Sequence, residues 1–174
     1  QIVKVKVLEV DVPRKRITTP DGTVAELIET VPAAVPARGS SRTKARKRAL
    51  DVLFEADLRG VDAREVLTQQ VAEADPPVRA FTTALVEGVL ARQGEIDDLI
   101  AGSLAADWTL QRMPRVDRTL ARLAVWELLD GSTSPEVVLQ QAVQLAQELS
   151  TDDSAAFLNG LLARARQGIG AGTS

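Results

Sequence analysis

The 174 residues include no cysteine, no histidine and no tyrosine, and only three phenylalanines, two tryptophans and one methionine. Without cysteine there is no disulfide framework and no thiolate metal site. Without histidine, neither a Ser-His-Asp nor a Cys-His nucleophile can be built, and zinc would have only carboxylates to bind. Acid–base chemistry would fall to Asp, Glu or Lys, so no catalytic residue, metal ligand or cofactor is expected. No run of about 18 uncharged apolar residues occurs, which excludes a membrane-spanning helix and a membrane partner. With no secretory signal at the start, a cytoplasmic protein is expected. Gln1 in place of an initiator methionine is expected of a chain whose natural start lies upstream.

Apolar residues make up 45% and charged residues 26%, the balance of a soluble globular chain long enough for one good core. The net charge of −3 hides an asymmetry. Residues 1–37 carry five basic and five acidic groups; residues 38–48 carry Arg38, Arg42, Lys44, Arg46, Lys47 and Arg48 and no acid; residues 49–174 hold ten basic and nineteen acidic groups. A positive strip on an acidic body predicts a partner for each.

The strip opens a helix. From Ser40 to Arg59 the first half is cationic, and the second half recurs apolar at Ala49, Val52, Leu53 and Ala56, with Leu50 and Phe54 widening the stripe. Such a helix would bury its back half and hold its front half in water, presenting fixed cations to a polyanion. Cations near a helix N-terminus oppose the macrodipole by a few tenths of a kcal/mol each, which favours an anionic partner over a merely solvated face.

Ahead of it, Val3 to Val7 alternate with the period of a half-buried strand, and Leu8 suits a bulge or strand end. Asp11 to Arg14 reads as a turn, Arg16 to Thr18 could begin a return strand, and Pro20-Asp21-Gly22 is a second turn. Val24 to Val31 suits a short strand or a helical turn. The predicted organisation is a β-hairpin-like extension over 1–31, a linker over 32–40, a helical domain over 41–168 and a flexible tail over 169–174.

Within the helical domain the first helix, 41–59, stops at Gly60, and Asp62 with Glu65 opens a second running to about Ala74. Pro76-Pro77 opens a third, with Val78, Phe81, Leu85 and Val89 on one face. Gly94 interrupts, and Ile96, Leu99, Ile100 and Leu104 carry the fourth. A fifth starts at Met113-Pro114 and ends at Gly131; Ser134-Pro135 begins the sixth; Thr151 to Ser154 cap the last, with Gly168 onward frayed. Seven helices with short connections and no strands between them predict an all-α bundle.

Five blocks of this sequence resemble one family: Lys44–Glu55 (KARKRALDVLFE), Asp97–Ile100 (DDLI), Trp108–Asp117 (WTLQRMPRVD), Leu123–Leu128 (LAVWEL) and Ala142–Leu162 (AVQLAQELSTDDSAAFLNGLL). Together, over about 40–166 and in the right order, they look like the NusB family of transcription antitermination proteins. Residues 4–17 (KVKVLEVDVPRKRI) resemble the closing hairpin of an S-one type OB-fold RNA-binding domain, and as a lone hairpin would be marginal in water.

The NusB resemblance implies a seven-helix, non-enzymatic protein of bacterial cytoplasm. It would bind a single-stranded boxA-type RNA together with the small-subunit ribosomal protein that acts as NusE. Both would join an RNA polymerase antitermination complex in ribosomal RNA transcription. The RNA edge implied comprises Arg42, Lys44, Arg46, Lys47, Arg48, Phe54, Asp153 and Phe157. Periodicity alone puts Phe54 and Phe157 in the core; partial exposure for base stacking is the other reading. Asp152 and Asp153 invite a magnesium or catalytic-acid reading, but two adjacent carboxylates beside Ser150 and Thr151 at a helix start are better explained as caps. Asp117, Arg118 and Ala121 would meet the ribosomal protein, and whether a second copy of the chain is also a partner stays open. Asn159-Gly160 predicts a close helix crossing, and Trp108 and Trp126 read as core anchors. The family usually carries an acid before the alanine of the sixth helix, where this chain has Gln140-Gln141. An enzyme-linked alternative is the NusB-like RNA-binding domain that precedes an rRNA cytosine methyltransferase, and a third reading is a helical assembly module without nucleic acid.

Overall fold

The computed structural model describes residues 9–11, 16–18, 24–26 and 40–172. The chain divides into two compact units, Gln1–Ala37 and Arg38–Ser174. In the first, three short strands, β1 (Glu9–Asp11), β2 (Arg16–Thr18) and β3 (Val24–Glu26), pair antiparallel in chain order. Val10 lies opposite Ile17, and Ile17 opposite Ala25. The return strand at Arg16 is therefore present, and the segment starting at Val24 begins as strand. The alternating run at 3–7, residues 12–14 of the first expected turn, the turn at 20–22 and residues 32–39 of the linker lie outside the described residues.

The second unit is helical: α1 (Ser41–Arg59), α2 (Ala63–Glu73), α3 (Ala80–Ala91), α4 (Gln93–Ser103), α5 (Arg115–Asp130), α6 (Pro135–Leu149) and α7 (Asp152–Ala171). Its punctuation is chemical. Gly60 and Gly131 end α1 and α5 at φ 67° and 75°, a left-handed geometry that a Cβ would strain. Ser40, Asp62 and Thr151 cap α1, α2 and α7 by accepting a bond from a first-turn backbone N–H. Three expectations are corrected. α3 begins at Ala80, after the prolines, because Pro76 and Pro77 lead in an extended entry ending at Arg79. Gly94 sits inside the first turn of α4, and the break falls at Arg92. α7 continues through Ala171 rather than ending at Gly168, with Leu99 of α4 beside Gly168.

α5 is the hub, packing against α1, α3, α4, α6 and α7. That requires more than one apolar face, and Leu120, Ala121, Leu123, Ala124 and Val125 are all buried. No close crossing falls at Gly160, where an added Cβ would meet only the Arg164 side chain at 3.5 Å. The glycine that packing requires is Gly88 of α3, where a Cβ would lie 2.0 Å from the Trp126 ring. Trp126 and Trp108 both pack against the core, as their spacing predicts.

Candidate nucleic-acid interface

The front of α1 is built to hold charge still. Ser40 accepts from the Thr43 backbone N–H at 3.1 Å, and no acid occupies the first turn. The Thr43 hydroxyl donates to Gln141 Oε1 of α6 at 2.7 Å, inside the protein. A neutral pair therefore joins α1 to α6 at Gln141. Thr82 of α3 donates to the Ala45 carbonyl at 3.0 Å, pinning the same turn from the other side.

On this clamped turn the cations take different fates. Arg42 is exposed, with its guanidinium 4.3 Å from the Phe81 ring centroid. Lys44 is exposed and makes no ion pair. Lys47 is exposed and lies 3.9 Å from Glu148. Arg48 is half-buried and reaches only Gln70 Oε1, at 3.4 Å. One turn further, packing around the Asp51 carboxyl raises its pKa, while Arg48 and Lys47 pull it back. Arg38 lies outside the described residues.

Arg46 corrects the sequence reading. Its side chain is 5% exposed and donates in a fork to Glu127 of α5, at 2.7 and 2.8 Å. It cannot meet a phosphate without abandoning a buried carboxylate, a loss of about 3–5 kcal/mol. The reason is angular: Arg46 shares the inward arc of α1 with Ala49 and Leu53, and the charge run concealed that.

The aromatic and acidic members lie beyond it. Phe54 is half-buried and outside the core cluster, one turn before Leu58, which is 60% exposed. Phe157 packs partly on the core and meets Trp108 edge to face, with centroids 6.5 Å apart. Arg112 lies over the other aromatic partner, 4.7 Å from the Trp108 ring. Asp153 is exposed in the first turn of α7, where Thr151 rather than an aspartate makes the cap.

The start of α5 differs from expectation. Asp117 is 2% exposed and accepts from Ser150 and Ser154, both at 2.7 Å, so it locks the α6–α7 junction instead of facing a partner. Ala121 is fully buried. Arg118 is partly buried, donating to Asp57 at 3.0 Å and to the Leu110 carbonyl at 3.2 Å. Two of the three residues expected to touch a protein partner are thus interior. Asn159 is exposed and supplies no buried amide.

Sequence reading missed Arg79. It stands just before α3, and its Nε donates to Ser41 at 3.0 Å, which adds a cation beside the α1 strip. Only the tertiary fold joins the two, because 38 residues separate them in sequence. Among the described residues, no group of three or more metal-ligating side chains is gathered, and no helix is long and apolar enough to cross a membrane.

The model of the NusB family matches residues 43–167. The transcription antitermination protein NusB of Acidothermus cellulolyticus is 58% identical over 127 residues, spanning 72% of this chain and 87% of that one. The NusB of Kineococcus radiotolerans is 49% identical over 126 residues, 72% of this chain and 92% of its own. Among solved structures, Thermotoga maritima NusB superposes with a TM-score of 0.65 at 29% identity, over 72% of this chain and 90% of that chain. A structure of antitermination factors NusB and NusE in complex with dsRNA matches with the same score and identity, over 73% and 96%. The match to the family model covers well over half of the residues and the curated relatives agree with it: this chain belongs to the NusB family.

Proposed function

We propose that the protein is a non-enzymatic transcription antitermination factor that binds a boxA-type single-stranded RNA jointly with a NusE-like ribosomal protein, within an RNA polymerase complex on ribosomal RNA operons. The observation that carries this reading is the front of α1. Among the described residues, Arg42, Lys44 and Arg48 make no ion pair with the protein's own carboxylates, and Lys47 has only a long contact to Glu148. They are held on a turn clamped by α3 and α6. Cations left unneutralised on a rigid scaffold suit a polyanion, whose phosphates supply the missing partners. Phe54 and Phe157 are the candidates for base stacking, and Asp153 for orienting a base or a basic side chain. The acidic body is the surface offered to a basic ribosomal protein, with Arg118 at its margin, and charge acts there chiefly on association rate. The antitermination names of the relatives favour this factor over the RNA-binding domain of a methyltransferase.

The test is a titration with a boxA-containing RNA and with a scrambled RNA, each with and without the ribosomal partner. Tighter binding to the boxA sequence, strengthened by the partner, is the expected result. Equal indifference to both RNAs in both conditions defeats the proposal. The N-terminal unit, read as an OB-fold fragment, is not needed for this binding, so a chain beginning at Ser40 should retain the affinity of the whole.

A further inference from the structure

A recess of about 220 Å³ lies on the flank of α1 that faces α3, lined by Lys44 and Arg48 of α1, Pro76, Pro77 and Arg79 ahead of α3, and Thr82 of α3. No carboxylate lines it. We propose that this pocket seats a phosphate of the RNA backbone, with Arg79 as its forked donor and Lys44 and Arg48 as supporting charges. The inference rests on the RNA reading above and extends it from α1 to the entry of α3.

The geometry supplies each requirement. Arg79 spends its Nε on Ser41, which tethers the guanidinium there, and among the described residues both terminal nitrogens are uncommitted. A guanidinium held this way presents two parallel donors, the arrangement that suits a phosphate. Among the described residues the Lys44 side chain makes no hydrogen bond or ion pair, and Arg48 keeps only its long contact to Gln70. Thr82 is not a ligand; its hydroxyl is committed to the Ala45 carbonyl, and that bond holds α3 at a fixed spacing from α1. The prolines stiffen this lining, since their φ angles are locked. The volume is well above what a single water needs and leaves room for one phosphate. Three cations border so small a space, and an anion entering it would give them a shared counter-charge.

The pocket lies on the opposite flank of α1 from Lys47, whose neighbour is Glu148 of α6. A strand contacting both flanks must therefore cross the front of α1, with Arg79 as the cation contributed from outside α1.

The experiment compares the full-length chain with Arg79→Gln and Arg79→Lys. Each is titrated with the boxA-type RNA from about 50 to 300 mM salt, and separately with inorganic phosphate followed by backbone amide NMR. Arg79→Gln is expected to bind RNA about fivefold more weakly at low salt, with a salt slope shallower by about 0.7; Arg79→Lys should keep the slope. Phosphate should shift the amides of residues 44–48 and 78–82 in the wild type and not in Arg79→Gln. Should Arg79→Gln disturb the start of α3, Lys44→Gln provides the same reading from a side chain with no internal contacts. Wild-type affinity and slope in Arg79→Gln overturn the pocket while leaving the RNA reading intact. If the wild type ignores RNA, the RNA reading fails and takes the RNA source of the phosphate with it. The anion seat then stands or falls on whether the phosphate shifts appear and depend on Arg79.

Discussion

The fronts of α1 and α5 begin alike and end differently. Each opens with a cluster of charge that, on sequence, invites a partner. At α5 the charge is consumed internally. Asp117 is closed off by Ser150 and Ser154, Arg115 and Arg118 share Asp57, and Arg122 forks onto Asp97 at 2.8 and 3.0 Å. At α1 one cation, Arg46, is consumed in the same way, and its neighbours are left outside. A charge run reports that charge is present. Whether it is available depends on which arc of the helix each residue occupies and on what the fold brings opposite.

The largest consequence falls on Arg46. Replacing it with alanine strands Glu127 in the interior, and the chain should lose about 3–5 kcal/mol. At this size that is a fall in Tm of about 10 °C, measured by thermal denaturation. Arg46→Met with Glu127→Leu should recover most of that loss, because an apolar pair of similar volume needs no charge compensation. A surface arginine would show neither effect, so an unchanged Tm in Arg46→Ala would erase the contrast between Arg46 and its neighbours.

Next in size is Asp117→Ala, which removes a charged acceptor from two serines and should cost about 2–4 kcal/mol in chemical denaturation. Loss of affinity for the ribosomal partner without loss of stability would instead restore Asp117 to the partner surface. Asp57→Asn releases Arg115 and Arg118 at a largely exposed site and should change stability by no more than about 1 kcal/mol. Smallest of all in stability terms are Arg42→Gln, Lys44→Gln and Lys47→Gln, each expected within about 0.5 kcal/mol of the parent. Their effect should appear in RNA binding.

Much of the helical unit was readable from local signals, because its punctuation is local. Gly60, Gly131, Asp62 and Thr151 end or begin helices by geometry confined to a few residues. The errors fell where the cause was distant. Nothing near Asn159-Gly160 says that the glycine packing demands is Gly88, since the ring that presses on it comes from Trp126 on another helix. Arg79 is invisible as a neighbour of Lys44 until α3 folds back onto α1. Gln141 looked like a lost acid and turned out to be paired with Thr43, the two residues lying 98 apart in sequence. Phe54 was placed in the core by its spacing, yet it is left half-buried outside the core cluster.

The central claim is that the exposed cations of α1 bind phosphates. It is tested most directly by the salt dependence of RNA affinity in the parent and in a chain carrying Arg42→Gln, Lys44→Gln, Lys47→Gln and Arg48→Gln together. The account predicts that these four positions contribute a slope of about −3 in log K against log salt, and that the quadruple variant loses it while keeping its Tm. A variant that binds boxA-type RNA with the parent's affinity and slope would contradict the account.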